Sequence, residues 1–440
     1  MANPYLPGWE YIPDGEPRVF GDRIYIYGSH DRTGHEKFCE YILKVWSAPV
    51  SNPGNWVCHG VVFSTRDTDG HVSDVEWSDN ELYAPDVVCR DGKYYLYAYI
   101  VGAKGCVAVA DRPEGPFTLL SRYEYHIDKH FDDGIFIDPG VLVDDDGQVY
   151  IYCGYLGSYM AQINPENMYE IIDGSYRETI LPVDGEQGFF EACSPRKVGD
   201  TYYLIYSPKI GSRLDYAVSD SPLGPFEPKG TIIDNGIEYP GGNNHGSICE
   251  IGGQWYIFYH RMTNGTVMSR RGCVERIRIL PDGTIPQVEM TSLGFEDALN
   301  PYRVTSADTA CVLTGGCIIT ERNEFERSII RITDGCVMGW KYFDFGMNSG
   351  SCQRIKVKIK GRGCRGKIHV FLDAADESAG GRKICELTFG SDDAVLCGEL
   401  SRIEGKHALY LKAEADYEDW GAEMLKGREL FELTSFLFLV

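Results

Sequence analysis

Five ionisable residues stand at nearly the same place in five successive segments of the chain. Each lies a few residues before a turn-forming pair that is followed by a tyrosine within a short apolar run. The five are Asp14, Asp86, Asp138, Glu191 and His245. Equivalent positions of a repeated unit meet when the units are arranged around an axis. The pattern therefore predicts four carboxyl groups and one imidazole in one small volume.

Such a cluster points to acid and base chemistry. Clustered carboxyl groups repel each other, and burial raises the pKa of at least one of them, so the cluster is a candidate functional site. Hydrolysis of a glycosidic bond needs one ionised and one protonated carboxyl, and the cluster supplies both. A metal site and a solvated ring of acids are the alternatives. The chain contains no GxSxG elbow, no phosphate-binding loop, no HExxH and no dinucleotide-binding glycine pattern that precedes a helix.

Repeated hairpins are the elements that must position these residues. The repeats are GDRIYIY (21–27), DGKYYLY (91–97), DGQVYIY (146–152), GDTYYLI (199–205) and GGQWYIF (252–258). Each is expected to be a tight turn that opens a strand, with the first strand of the hairpin before it. A repeat of about 50 residues with about four short strands is typical of a propeller blade. We therefore predict an all-β chain in which residues 1–300 form a five-bladed β-propeller, the catalytic domain.

The pattern changes after about residue 300. Pro301 is the last proline, and residues 354–372 alternate between apolar and polar residues on both sides of a glycine-containing turn at 361–366. This alternation predicts an antiparallel hairpin within a C-terminal β-sandwich over residues 305–440. The segment GWKYFDFG (339–346) is similar to segments in jelly-roll domains related to family 6 carbohydrate-binding modules. The domain is expected either to stabilise the propeller or to bind carbohydrate, and Trp340 and Tyr342 are expected in its core.

Composition narrows the partners and the compartment. The net charge of −23 disfavours nucleic acid and anionic membranes, whereas a neutral oligosaccharide is not repelled. The fifteen cysteines include no CxxC pair and stand mostly in apolar strands, as expected of reduced thiols. The first residues do not have the pattern of a signal peptide, and no apolar stretch approaches the roughly 20 residues that span a bilayer. These features predict a cytoplasmic protein with no membrane partner.

Segments around the acids resemble glycoside hydrolase family 43 over roughly residues 1–300. IPDGEPRVFGD matches the family segment that carries the general base, which implies Asp14. IDPGVLVDDDG matches the segment of the aspartate that modulates the pKa of the acid, which implies Asp138. FFEACSPRKVGD matches the segment of the general acid, which implies Glu191. The resemblance thus gives a role to each of three members of the cluster.

Further segments imply residues that bind the substrate. FYHR matches a family arginine that contacts the sugar in the innermost subsite, here Arg261, and LYAPDVV matches a segment that implies Tyr83 and Asp86. NNHGS matches the central histidine of the family, here His245, which is expected to hold water or a water-mediated structural calcium ion. No cofactor is expected to be required for the chemistry.

The resemblance implies an inverting, exo-acting glycosidase that releases terminal α-L-arabinofuranose or β-D-xylose from plant-derived oligosaccharides. Three alternatives remain open from the sequence. They are a retaining, fructosidase-like propeller hydrolase, an exo-galactosidase and a sugar-binding propeller without catalysis. The preferred sugar, the role of the C-terminal domain and the oligomeric state do not follow from the residues.

Overall fold

The computed structural model describes residues 2–102, 105–122, 137–346, 353–417 and 421–440, without the side chains of residues 353 and 422. Within these residues the prediction of an all-β chain is confirmed. Thirty strands are present, with one short α-helix, Gly421–Leu425, and two 3₁₀ turns, Ala307–Thr309 and Glu377–Ala379. No helix of the described part is long and apolar enough to cross a membrane.

The first nineteen strands form five antiparallel sheets, each made of strands that are consecutive in the chain. The first four sheets have four strands each and the fifth has three. The strands are β1 (Glu16–Phe20), β2 (Arg23–Tyr27), β3 (Ile42–Pro49), β4 (Val57–Ser64), β5 (Leu82–Arg90), β6 (Lys93–Ile100), β7 (Cys106–Ala110), β8 (Thr118–Arg122), β9 (Gly140–Val143), β10 (Val149–Cys153), β11 (Tyr159–Ile163), β12 (Arg177–Glu178), β13 (Phe189–Val198), β14 (Thr201–Pro208), β15 (Arg213–Ser219), β16 (Glu227–Asp234), β17 (Ser247–Ile251), β18 (Gln254–Thr263) and β19 (Thr266–Ile277).

The repeated turn pairs lie where the sequence predicts them, between the first and second strands of each sheet. In the first sheet Phe20 pairs with Arg23 across a two-residue turn whose Gly21 has a φ of 63°. A positive φ is easily adopted by glycine, which explains this residue at the turn. The repeated tyrosine of the second strand is buried in four sheets, as Tyr25, Tyr150, Tyr203 and Tyr256. These repeated tyrosines therefore belong to the apolar cores of the sheets.

The first strands of the five sheets contact one another in sequence order. β1 contacts β5, β5 contacts β9, β9 contacts β13, and β17 contacts β1. β13 reaches β17 through a 2.6 Å hydrogen bond between the hydroxyls of Ser194 and Ser247, and Arg196 Nε donates to the carbonyl oxygen of Ile248 at 3.0 Å. These contacts bring the five predicted site positions, at or near the starts of the first strands, toward one another.

The beginning of the chain lies along the fifth sheet. Asn3 donates from Nδ2 to the carbonyl oxygen of Val274 at 2.8 Å and accepts from the N–H of Val274 at 2.9 Å. The N–H of Tyr5 donates to the carbonyl oxygen of Gly272 at 3.2 Å. The segment before the first sheet is thus attached to β19, the last strand of the fifth sheet.

The remaining strands form two sheets, β22-β23-β30-β25-β28 with β20 attached to β30, and β21-β24-β29-β26-β27. Their inner faces share one apolar core, in which Trp340 packs edge-on against Phe436 with ring centroids 4.8 Å apart. The core continues into the fourth and fifth sheets through residues such as Tyr203 and Cys273. The strands are β20 (Thr305–Ser306), β21 (Val312–Thr314), β22 (Ile318–Asn323), β23 (Glu326–Ile332), β24 (Val337–Asp344), β25 (Gln353–Gly361), β26 (Gly366–Leu372), β27 (Arg382–Phe389), β28 (Ala394–Leu400), β29 (Lys406–Ala415) and β30 (Phe431–Leu439).

The predicted hairpin over residues 354–372 is wrong, although both of its strands exist. β25 pairs with β28 and β30, whereas β26 pairs with β27 and β29 in the other sheet. The connection around residues 361–366 therefore crosses from one sheet to the other. Alternation of apolar and polar residues reports which face of a strand is buried, and it does not report which strand is its neighbour.

Candidate active site

A cavity of about 320 Å³ lies where the first strands of the sheets converge. Five of the predicted site residues line it, namely Asp14, Tyr83, Asp138, Glu191 and His245. Its other lining residues are Phe38, Cys39, Ile137, Tyr155, Phe190, Asn243 and Arg270. Ligand sites range from about 300 to 1,000 Å³, so this cavity is at the small end. It combines apolar walls with a small number of convergent ionisable groups.

Local irregularities of the backbone aim the three acids. Asp14 and Asp138 precede β1 and β9 and have positive φ angles of 55° and 54°. Glu191 lies between two register shifts of the β13–β14 pair, and the following Ala192 has a φ of 70°. Bulges redirect side chains, and left-handed conformations of residues other than glycine cluster at functional sites. Each acid therefore stands at a break in regular strand geometry.

Asp14 is held by two donors. Arg270 Nη1 donates to Oδ1 at 2.8 Å, and the hydroxyl of Ser29 donates to Oδ2 at 2.7 Å. Burial, the largest single effect, acts to raise the pKa of Asp14, but nearby positive charge, first of all that of Arg270, and the bond from Ser29 outweigh it and lower the pKa. Asp14 is therefore ionised at neutral pH, as a general base must be.

Two histidines lie beside Asp14. His245 Nδ1 is 3.8 Å from Asp14 Oδ1 and from Asp138 Oδ2, and His260 Nδ1 accepts from the N–H of Asp14 at 3.3 Å. Burial, and then the charge of Arg270, lower the pKa of His260 to about 3, and burial lowers the pKa of His245. Both imidazoles are neutral near pH 7, so Arg270 is the cation that acts on Asp14.

The pKa values of Glu191 and Asp138 are raised, whereas that of Asp14 is lowered. Burial, followed by the negative charge of Asp14, raises the pKa of Glu191 from 4.5 to about 7, while a hydrogen bond from Asn243 acts against this rise. Burial and then the charge of Glu191 also raise the pKa of Asp138, whose Oδ2 accepts from the N–H of Ala192 at 3.1 Å. The cavity thus holds an ionised carboxylate and a carboxyl pair that retains a proton near neutral pH.

Arg270 is the principal residue that sequence reasoning missed. Its Nε and Nη2 donate to the two oxygens of Asp31 at 2.8 and 2.9 Å, which leaves Nη1 for Asp14. The only signal in the sequence is a pair of arginines in an otherwise ordinary strand, Arg270 and Arg271. Only Arg270 faces the cavity, because Arg271 pairs with Asp308 at 3.1 Å.

Arg261, expected to contact the sugar, does not line the cavity. It is fully buried, and its guanidinium donates to the carbonyl oxygen of Ala310 at 3.2 Å, to the Tyr259 hydroxyl at 3.1 Å and to the carbonyl oxygen of Thr291. These partners lie toward the C-terminal strands. The expectation for Arg261 is therefore corrected. Arg261 pairs with Arg271 and points to the same face of the sheet, whereas the cavity lies on the other face, to which Arg270 points.

Asp86, also expected to bind substrate, lies outside the cavity lining. Its carboxylate accepts two hydrogen bonds from Arg18, at 2.9 and 2.6 Å, and one from the N–H of Val141 at 2.8 Å. It is completely buried and joins β1, β5 and β9. The register shift between Tyr83 and Asp86 separates the two residues of this segment, and only Tyr83 faces the cavity.

The side chains around His245 do not form a calcium site of their own. In the part of the chain that the structure describes, no group of three or more His, Cys, Asp or Glu side chains is arranged to hold a metal ion. Calcium prefers six to eight oxygen ligands. Here two carboxylates flank one imidazole, and Arg270 brings a positive charge to the same Asp14 oxygen. The water-mediated calcium stays a prediction, and no chemical step depends on it.

Comparison with known proteins identifies the family. Residues 54–285 match glycosyl hydrolases family 43. A xylosidase/arabinosidase from Thermoclostridium stercorarium is 38% identical over 96% of this chain and 97% of its own length. The chain belongs to glycosyl hydrolases family 43. It is accordingly a glycosidase, and family 43 chemistry uses carboxyl groups without a cofactor.

Solved structures of family 43 agree with this assignment. A β-xylosidase/α-arabinofuranosidase from a compost metagenome, solved with xylotriose in a calcium-free form, has a TM-score of 0.55 and 29% identity. It covers 66% of this family 43 chain and 97% of its own. An arabinoxylan arabinofuranohydrolase from Bacillus subtilis has a TM-score of 0.55 at 22% identity and covers 99% of this chain and 97% of its own, which extends the likeness of fold to the C-terminal strands.

Proposed function

We propose that this protein is an inverting, exo-acting glycoside hydrolase that releases terminal pentoses from neutral plant-derived oligosaccharides. One observation carries the proposal. A single small cavity contains Asp14, whose pKa is lowered, and Glu191, whose pKa is raised to about 7. Two carboxyl groups that are held in opposite protonation states are what hydrolysis of a glycosidic bond requires.

The reaction balances with these two groups and one water molecule. Asp14 takes a proton from a water molecule whose oxygen forms a bond to the anomeric carbon. Glu191 gives its proton to the glycosidic oxygen as the bond between that oxygen and the anomeric carbon breaks. Attack from the face opposite the leaving group inverts the anomeric centre. The enzyme then needs only to exchange protons with solvent to return to its starting state.

Asp138 and Arg270 tune the two reacting carboxyls. Asp138 raises the cost of ionising the pair that it forms with Glu191, because two adjacent buried carboxylates repel each other. Arg270 favours the ionised form of Asp14 through its 2.8 Å contact. Asp31, which binds the same guanidinium with both oxygens, keeps Arg270 in that orientation.

For the architecture we propose a five-bladed propeller over residues 1–300 and a β-sandwich over residues 305–440. The ring of contacts among β1, β5, β9, β13 and β17 supports the propeller, as does the attachment of the chain start to β19. The common core of the last two sheets supports the sandwich. The continuation of that core into the fourth and fifth sheets favours a stabilising role of the C-terminal domain.

The size of the cavity and the relatives together favour pentoses. A cavity of about 320 Å³ among Phe38, Tyr83, Tyr155 and Phe190 suits one terminal sugar unit. The relative from T. stercorarium is named a xylosidase/arabinosidase and aligns over nearly the whole of both chains. We therefore propose α-L-arabinofuranosides and β-D-xylosides as substrates. The pocket can discriminate against an added CH₂OH group by only a few kcal/mol, so galactosides and glucosides should be poor rather than inert.

We propose a reducing, cytoplasmic location on the basis of the thiols. The fourteen cysteines of the described residues are free, and ten of them are completely or almost completely buried, for example Cys106 and Cys153 in the strand cores. Buried free thiols behave as small apolar side chains and persist in reducing compartments. Fractionation of the native host with an antibody against the chain tests this location, and recovery outside the cytoplasm would contradict it.

The test of the function combines a substrate screen with stereochemistry. Purified full-length protein is assayed on aryl α-L-arabinofuranoside, β-D-xyloside, β-D-galactoside, β-D-glucoside and fructosides, with the Asp14→Ala variant as the control for contaminating activity. We expect the two pentosides to be cleaved fastest. Proton NMR of the first-formed sugar should show the inverted anomer. A retained anomer would favour the fructosidase-like alternative, and sugar binding without hydrolysis would favour a binding module.

A further inference from the structure

Glu321 of β22 carries a carboxylate that reaches from the C-terminal strands to the segments around the active site. Its Oε2 accepts hydrogen bonds from the hydroxyl of Tyr11 and, at 3.2 Å, from the hydroxyl of Thr33. Arg327 of the adjacent strand donates to the same oxygen at 3.3 Å. Tyr11 lies three residues before Asp14, and Thr33 begins the segment that leads to Phe38 and Cys39 of the cavity wall.

A continuous series of bonds connects this carboxylate with the general base. The carbonyl oxygen of Tyr11 accepts from the N–H of Asp31 at 2.9 Å. The carboxylate of Asp31 binds Arg270 at 2.8 and 2.9 Å, and Arg270 donates to Asp14 at 2.8 Å. Every link between residues is a hydrogen bond or an ion pair, and within Tyr11 and Asp31 the connection is covalent, between side chain and backbone. Because Asp31 and Arg270 are buried, a displacement at Tyr11 has little room to be absorbed before it reaches Asp14.

The backbone of β22 is fixed against the strand that supplies Arg270. The N–H of Asn264, in the turn between β18 and β19, donates to the carbonyl oxygen of Ile319 at 2.7 Å. The side-chain oxygen of Asn264 accepts from the N–H of Glu321 at 2.8 Å. Glu321 therefore has a defined position relative both to Tyr11 and to the strand that carries Arg270.

We propose that Glu321 is a positioning residue through which the C-terminal domain sets the geometry of Asp14 and Arg270. The carboxylate of Glu321 holds Tyr11 and Thr33 in place. Tyr11 binds the backbone of Asp31, and the carboxylate of Asp31 binds the Arg270 guanidinium. The inference rests on the proposed function of the cavity, and it assigns to the C-terminal domain a part in catalysis that does not require that domain to touch the sugar.

The variants should differ in their effects on stability. The side chains of Glu321 and Arg327 are 16% and 7% exposed, so Glu321→Ala leaves a largely buried guanidinium without its carboxylate and should also destabilise the fold. Tyr11→Phe removes one hydroxyl and leaves this ion pair in place. Because a small displacement of a catalytic group lowers turnover strongly, Tyr11→Phe is the variant that separates activity from stability.

The experiment compares Glu321→Ala, Glu321→Gln and Tyr11→Phe in the full chain, with Glu326→Ala as the matched control. Glu326 lies on the other strand of the same hairpin and pairs with Lys360 at 2.7 Å, away from residues 1–40. Each variant is measured on whichever glycoside the wild type cleaves best, with kcat, KM, the pH profile of kcat/KM and Tm. If the wild type cleaves no glycoside, the proposed function fails, which is a separate result from failure of this inference.

We expect Glu321→Ala to lower kcat and kcat/KM together by about 2- to 30-fold, the range that residues within such networks produce. Its Tm should fall below that of Glu326→Ala because Arg327 loses its carboxylate, whereas the Tm of Tyr11→Phe should stay close to that of the control. Weaker contact with Arg270 raises the pKa of Asp14, so the acidic limb of the profile should move to higher pH. Glu321→Gln, which keeps an oxygen acceptor for Tyr11, should recover most of the activity. The kcat and the acidic limb of Tyr11→Phe should match those of Glu321→Ala, and the kcat of the double variant should be no lower than that of either single variant.

Activity and an acidic limb like those of the Glu326→Ala control would overturn the proposal, and so would additive losses in the double variant. If Glu321→Ala does not fold, Tyr11→Phe alone decides between the outcomes, because it removes one hydroxyl without leaving a charge unpaired. A Tyr11→Phe enzyme with wild-type kcat and a wild-type acidic limb would then refute the role of Glu321.

Discussion

Replacement of Glu191 by alanine tests the assignment of the general acid. Burial and the charge of Asp14 raise the pKa of Glu191 from 4.5 to about 7. At pH 6 a carboxyl with a pKa of 7 is about 90% protonated, whereas one with a pKa of 4.5 is about 3% protonated. The cavity therefore increases the fraction of the acid form about thirtyfold at this pH, which is the fraction that can protonate a leaving group.

The size of the loss should depend on the leaving group. General acid catalysis contributes about 10²- to 10⁴-fold when the departing oxygen is strongly basic, as in an oligosaccharide. A dinitrophenolate leaves without protonation, so Glu191→Ala should be nearly as active as the wild type on dinitrophenyl pentosides. The basic limb of the kcat/KM profile, expected near pH 7 from Glu191, should disappear in the variant.

The assay is a series of aryl pentosides whose phenols span a range of pKa, with Glu186→Ala as a control. Glu186 is five residues from Glu191 but lies on the surface beside Arg213. In the Glu191→Ala enzyme, log kcat/KM should fall steeply as the pKa of the phenol rises. An equal loss on every substrate, or a basic limb that persists at the same pH, would refute the role of Glu191 as the acid.

Three further predictions follow from the same structure. Glu191→Gln should raise the free energy of unfolding at pH 8 but not at pH 4, because a carboxyl whose pKa is raised to about 7 makes the wild type less stable as the pH rises from about 4.5 to 7. In urea titrations at pH 8 the variant should exceed the wild type by about 2 kcal/mol, which is less than the full pKa shift implies because solvent in the cavity screens the charge. Ser29→Ala removes the donor to Asp14 and the acceptor of the Ala84 N–H at 2.8 Å, so it should lower the free energy of unfolding by about 1–3 kcal/mol and move the acidic limb of the kcat/KM profile to higher pH. An acidic limb at the wild-type pH would contradict the role of this contact. Truncation after residue 300 should give insoluble protein, because Arg261 loses Ala310 and the shared core is opened; a soluble, fully active fragment would show an independent C-terminal module.

Much of the site could be predicted because it depends on residue type at equivalent positions of a repeat. Asp14, Asp138, Glu191 and His245 precede or begin first strands, and the cavity indeed contains all four. Asp86 occupies the same place in its repeat, yet the structure uses it to join three sheets through Arg18 and Val141. Position in a repeat thus indicates convergence, but the depth of a side chain in the convergent region depends on local register.

The arginines show the limit of a motif. Arg261 of β18 pairs with Arg271 of β19, and paired residues point to the same face of the sheet. Arg270 is adjacent to Arg271 in the strand and therefore points to the opposite face from Arg261. The pairing is regular from Trp255–Ile277 to Met262–Arg270, so alternation places the two arginines on opposite faces, and the packing of the sheets decides which face lines the cavity. That choice is not visible in a four-letter segment such as FYHR, so the guanidinium beside Asp14 was found only in the structure.

By itself the sequence determined the all-β class, the hairpin repeats and the convergence of three acids on one cavity, because turn residues, strand periodicity and the place of an acid in a repeat are all local properties. The tertiary structure alone decided the partners, namely Arg270 for Asp14, opposite sheets for β25 and β26, and Glu321 for Tyr11. Those contacts join residues that are hundreds of positions apart or choose among strands of similar pattern. They depend on how sheets pack, which burial of apolar surface drives without regard to the order of residues in the chain.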